Sequence, residues 1–66
     1  MDEYKKTVRK RLIDLEKDTT WLAAEVNART NMHTDAPYIS RVLSGKRNSV
    51  RVRTAINEIL GIEASV

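Results

Sequence analysis

Apolar side chains recur at intervals of three and four along almost the whole 66-residue chain, a period that admits helices and little else. Tyr4, Val8, Leu12 and Leu15 are spaced four, four and three, one stripe of an amphipathic helix with Lys5, Lys6, Arg9 and Lys10 turned outward. The first helix is therefore expected over about residues 2–17. Asp18 stands just before the next apolar pattern, where a short oxygen-bearing side chain can accept from an unpaired helix N–H. A second helix follows, with Leu22, Ala23 and Val26 inward and Trp21 beside them as a packing anchor rather than a base-stacking platform. Asp35 is a further N-cap, and Pro37 falls within the next first turn, where its missing N–H costs nothing. Ile39, Val42 and Leu43 form the apolar patch of a third helix, which should stop near Ser44 because Gly45 can take the left-handed conformation. Ser49 caps a fourth, with Val52, Ala55, Ile56, Ile59 and Leu60 inward, Gly61 at its end and Ile62 folding back onto the core. With no period-two pattern and no internal repeat, the expectation is an all-α domain of four to five helices.

Size sets the next limits. The chain reads as one domain over residues 1–66, with its core at about 4–62 and a short tail at 63–66. A chain of this length buries about 60% of the surface its unfolded form exposes, so a deep catalytic cavity is not expected. Cysteine is absent, which excludes disulfides and thiolate metal sites. His33 is alone, the pairs Asp2/Glu3 and Asp14/Glu16 suit exposed helix charges, and there is no Gly-rich phosphate loop. No enzyme activity, cofactor, metal or small-molecule ligand is expected. "MDEYKKTVRKR" lacks the apolar run of a signal peptide and no segment is apolar enough to span a membrane, so the expected location is cytoplasmic.

The net charge of +3 is modest, but its distribution is uneven. Residues 1–17 balance at +2 and residues 18–35 at −2, whereas residues 36–53 carry Arg41, Lys46, Arg47, Arg51 and Arg53 with no acid, a balance of +5. A single-sign block of this kind suits either a polyanion partner or a merely solvated basic face, and charge alone does not decide between them.

The order of two motifs is more specific. "TTWLAAEV" followed by "YISRVLSGKRNS" resembles the Cro/C1-type (XRE, lambda-repressor-like) helix-turn-helix family of transcriptional regulators, over roughly residues 5–62. The resemblance implies a lambda-repressor-like fold, with the second helix across the sugar-phosphate backbone and the third in the major groove of double-stranded DNA. It places Thr19 and Thr20 at phosphates, through hydroxyl and backbone N–H. It puts Ala36, Pro37, Ser40 and Arg41 at the base-facing positions of the third helix. Arg41 is the leading candidate for direct readout, because its fork can donate twice to guanine, while Ala36 and Pro37 can at most touch a thymine methyl. Lys46, Arg47 and Asn48 fall on the turn that in the family touches backbone or an outer base edge, Arg47 being assigned to a base and Lys46 and Asn48 to phosphates. Tyr38 is open to two roles, a hydroxyl on a phosphate or partial burial as packing.

The chain departs from that family between Val26 and Tyr38, where eleven residues stand in place of about five. Three geometries are open for the added length. The second helix can run a further turn through Asn27, Ala28 and Arg29. The loop can be a passive excursion, since each doubling of loop length costs only about 0.6 kcal/mol. Or it can lie along the duplex, with Arg29, Asn31, His33 and Thr34 supplying contacts that Ala36 and Pro37 cannot. The reading adopted is a longer second helix with some share in binding. The function expected is a small phage- or mobile-element-type repressor. The alternatives are an architectural or recombination-directionality factor that bends DNA and a protein-binding antirepressor on the same scaffold. A pseudo-palindromic operator and a weak homodimer, strengthened on DNA and using residues 59–66, complete the expectation.

Overall fold

The computed structural model describes residues 3–62, which form four helices. They are α1 (Glu3–Asp14), α2 (Thr19–Thr30), α3 (Ala36–Leu43) and α4 (Val50–Leu60). No strand occurs among the described residues. The all-α expectation therefore holds, with four helices rather than five. None of them is long and apolar enough to cross a membrane. The tail at residues 63–66 and the expected start of the first helix at residue 2 lie outside the described residues.

The N-termini of α2, α3 and α4 are closed as their sequences dictate. The side chains of Asp18, Asp35 and Ser49 accept from the backbone N–H of Trp21, Tyr38 and Val52, three residues on in each case. A loss of such a cap costs about 1 kcal/mol. The C-termini are closed by left-handed residues. Gly45 and Gly61 have φ of +81° and +68°, and behind them the N–H groups of Lys46 and Ile62 reach back to the carbonyls of Arg41 and Asn57 at 2.9 Å. These are Schellman turns, in which backbone amides beyond the helix satisfy its last carbonyls.

The first helix ends earlier than the apolar spacing suggests. The Glu16 N–H donates to the Ile13 carbonyl at 3.0 Å and the Lys17 N–H to the Leu12 carbonyl at 2.9 Å, with Glu16 itself at φ +58°. This is the same Schellman turn built without glycine, and it stops α1 at Asp14 rather than at residue 17. Leu15 is thereby carried off the buried stripe and is 49% exposed, which corrects its assignment to the core. The apolar period continued past the point where the backbone had already turned.

The core unites all four helices: Val8 and Leu12 from α1, Leu22, Ala23 and Val26 from α2, Ile39, Val42 and Leu43 from α3, and Val52, Ala55, Ile56 and Leu60 from α4. No polar or charged side chain is buried with them among the described residues. Ile59 is half-buried and packs against this cluster rather than within it, as do Trp21 and Ile62. Around the apolar centre, polar staples join the helices. Arg11 Nη1 donates to the Leu60 carbonyl at 3.3 Å, a cation at the α4 C-terminus where the helix dipole favours one. Tyr4 Oη donates to Asn57 Oδ1 at 2.8 Å and stacks under the Arg53 guanidinium, 4.7 Å from the ring centroid.

The left-handed Glu16 gives a stability prediction. Replacing it with glycine removes the steric penalty of Cβ at positive φ, so Glu16→Gly should raise unfolding free energy by about 0.5–1 kcal/mol. Thermal denaturation followed by circular dichroism would read this as a rise of several degrees, and an unchanged or lower midpoint would contradict the turn geometry.

Candidate functional site

Helix α3 has two faces of opposite character. Ile39, Val42 and Leu43 are buried, and on the other side Pro37, Ser40 and Arg41 are exposed. Ala36 and Tyr38 are half-buried at its flanks, Tyr38 packing against the core. At the N-terminus of α3, Asp35 Oδ1 accepts the Tyr38 N–H at 2.9 Å and the Asp35 carbonyl accepts that of Ile39 at 3.0 Å. Pro37 has no N–H to satisfy, so this end fixes the helix with its backbone donors largely spent.

The other end of α3 carries the positive charge. Both the Lys46 and Arg47 N–H groups donate to the Arg41 carbonyl, at 2.9 and 3.2 Å, which folds the Gly45–Asn48 turn back against the helix end. Lys46, Arg47 and Asn48 are all exposed on it. Lys5 comes to the same place from α1: its Nζ donates to Ser44 Oγ at 3.1 Å. The apolar spacing turns Lys5 outward, and the resemblance gives it no role at the site. The structure holds it half-buried at the C-terminus of α3 and adds a sixth cation to the acid-free block. Ser44 is itself half-buried. Among the described residues, the one ion pair within 4.0 Å is Arg29–Glu58, at 3.7 Å. Arg41, Lys46, Arg47, Arg51 and Arg53 thus have no carboxylate partner among those residues. The Arg29 pair is exposed on both sides and worth about 0–1 kcal/mol, too little to hold Arg29 against a competing anion.

Thr19 and Thr20 open α2, Thr19 half-buried and Thr20 exposed. Asp18 takes the Trp21 N–H with its side chain, at 2.9 Å, and the Leu22 N–H with its carbonyl, at 3.1 Å. The backbone donors left at this terminus are therefore those of Thr19 and Thr20, the two residues expected at a phosphate. Trp21 is half-buried against the core, with the Lys17 amine 5.7 Å from its ring, and is engaged in packing.

The added length between Val26 and Tyr38 is largely absorbed by helix. α2 runs on to Thr30, and Asn31 ends it at φ +62°, its N–H on the Asn27 carbonyl. Residues 31–35 remain as connection. Met32 turns inward onto the core, while Asn31 and His33 are exposed. Thr34 differs from those two: its hydroxyl donates to Asn27 Oδ1 at 2.8 Å, and Asn27 also holds its backbone. From spacing alone, Asn27 is only a continuation of the helix. Its position four residues after Ala23, one turn along the buried stripe, was the signal that a polar group there would need a partner.

Among the described residues no three His, Asp or Glu side chains are grouped as a metal site needs. Comparison with known proteins finds no family model that matches the chain, and no curated protein or solved structure that does.

Arg53 belongs to the basic block and is held over Tyr4, whose phenol is pushed up from its ordinary value near 10. Burial is the main cause, opposing the phenolate more strongly than the Arg53 charge and hydrogen bonding favour it. Because the folded value exceeds the unfolded one, the neutral phenol contributes stability that is complete below pH about 10 and is lost as pH rises through the folded value. Tyr4→Phe should cost about 1 kcal/mol at neutral pH through the lost bond to Asn57. Above pH about 10 the gap between the two proteins should narrow. Urea denaturation across pH 7–11 checks this, and parallel curves would contradict it.

Proposed function

We propose that the chain is a sequence-specific, double-stranded-DNA-binding transcriptional regulator of the Cro/C1 type, with α3 in the major groove. The observation that carries the reading is the exposed face of α3 bearing Ser40 and Arg41, continuous with a cation-rich turn that has no described carboxylate partner. A small hydroxyl and one long fork, backed by a wholly aliphatic inner face, suit entry into a groove about 12 Å wide. In this reading Arg41 donates to a guanine edge, Ser40 and Arg47 address neighbouring bases, and Ala36 and Pro37 line the groove beside thymine methyl groups. Lys46 and Asn48, with Thr19 and Thr20 at the start of α2, take phosphates, and Tyr38 can add its hydroxyl. Lys5 joins the phosphate set through its place beside Ser44. Asn31, His33 and Arg29 are exposed along the end of α2 and the connection, and in this reading they extend the contact.

A domain this small makes few phosphate contacts, so the reading includes a pseudo-palindromic operator occupied by two copies whose association is weak in free solution. The regulatory role in this reading is repression in a phage or mobile-element switch.

Selection of bound sequences from random duplexes is the test of function and would return site, symmetry and specificity together. Against the selected site, Arg41→Ala should cost about 1–3 kcal/mol and relax preference at one base position. Unchanged affinity and preference would remove α3 from the groove. Lys46→Ala should weaken binding to all sequences about equally and lower the log–log salt slope by about one. An unaltered slope would remove Lys46 from the phosphate set.

A further inference from the structure

The connection between α2 and α3 is tied down residue by residue. Asn31 closes α2 in the left-handed conformation, and the Met32 N–H donates to Thr30 Oγ1 at 3.3 Å. Thr34 is then gripped by a single side chain. Asn27 Oδ1 accepts the Thr34 N–H at 2.7 Å, and Asn27 Nδ2 donates to the Thr34 carbonyl at 3.0 Å. The amide thus pairs with the N–H and the carbonyl of Thr34 as one strand pairs with another. The Thr34 hydroxyl adds a third bond to Oδ1 at 2.8 Å, so both lone pairs of that oxygen are used. The next residue, Asp35, is the N-cap of α3.

We propose that Asn27 is a positioning residue for sequence discrimination: by clamping Thr34 to α2 it fixes where the N-terminus of α3 sits, in place of the short turn of more compact helix-turn-helix units. The proposal rests on the DNA-binding reading above and names a residue which that reading does not use. Its physical basis is a difference in tolerance. A hydrogen bond to a base edge is confined to about 2.7–3.2 Å and fails with a shift of about 1 Å. Attraction to phosphates falls off slowly, over a screening length of about 8–10 Å, and survives the same shift. Burial of Ile39, Val42 and Leu43 keeps α3 folded on the core but is non-directional, and it does not by itself set the start of the helix to the tolerance of a hydrogen bond. The three directional bonds from Asn27 remove that freedom at a point two residues before α3 begins.

The test compares wild type, Asn27→Ala, Thr34→Val and Thr34→Ser on the selected duplex and on a scrambled duplex of equal length. Fluorescence anisotropy is measured at two salt concentrations, at a temperature where circular dichroism shows every protein folded. Asn27→Ala should lose about tenfold in the ratio of selected to scrambled affinity, with scrambled affinity and salt slope within about twofold of wild type. Thr34→Val deletes the hydroxyl but keeps the two backbone bonds, and should lose about threefold in the same ratio. Thr34→Ser retains all three bonds and should match wild type. If Asn27→Ala does not fold, the contrast between Thr34→Val and Thr34→Ser carries the test. A folded Asn27→Ala with undiminished discrimination, or equal losses on both duplexes, would overturn the positioning role while leaving DNA binding intact. A wild type that binds neither duplex would overturn the DNA-binding reading itself, and this inference with it.

Discussion

Burial of three aliphatic side chains, Ile39, Val42 and Leu43, against the other three helices determines what the remaining surface of α3 can be. Fully burying a side chain of this size is worth about 1.5–3 kcal/mol, and in a domain with a small core that term outweighs any one polar contact. Because the three lie at helical spacing, burying them leaves no choice about which residues point away. Pro37, Ser40 and Arg41 are exposed because Ile39, Val42 and Leu43 are not. The outer face is thus a by-product of the inner one, and its chemistry is free to vary without disturbing the fold.

The ends of α3 are managed separately, and they differ in charge. Asp35 closes the first turn with a carboxylate, while the last turn gathers Arg41, Lys46, Arg47 and, by way of Ser44, Lys5. A polyanion approaching this face meets its attraction toward the C-terminal end of the helix and the turn beyond it. Directional contacts near Ala36 and Pro37 are few, since neither side chain can donate a hydrogen bond. Under the proposed function, discrimination would depend on Arg41 and Ser40 being held accurately. Two sets of directional bonds flank α3 at opposite ends: the Asn27–Thr34 clamp before the helix, and the Lys46 and Arg47 amides on the Arg41 carbonyl after it.

Much of this fold was legible in the sequence because its signals are local. Asp18, Asp35 and Ser49 each cap the amide three residues ahead, and Gly45 and Gly61 take the positive φ that ends their helices. What the sequence concealed involves either a conformational exception or a distant partner. Glu16 adopts a left-handed conformation that favours glycine, and no apolar spacing could signal that α1 would stop there with Leu15 exposed. Lys5 and Ser44 are 39 positions apart, and a lysine beside a buried stripe gives no sign of which helix it will meet. The Asn27–Thr34 clamp spans seven residues across a chain reversal, beyond the reach of helical periodicity. The added length after Val26 was visible, as was the option of a longer helix. That a single amide would then order the rest was not.

Under the proposed function, the exposed side of α3 and the turn after it form the surface that meets a duplex. Amide chemical-shift mapping during titration with double-stranded DNA at low ionic strength reads this most directly. The largest shifts should fall at Ser40, Arg41 and residues 44–48, with the interior amides of Val8 and Ile56 nearly unmoved. Shifts centred elsewhere, or none with any duplex, would contradict it.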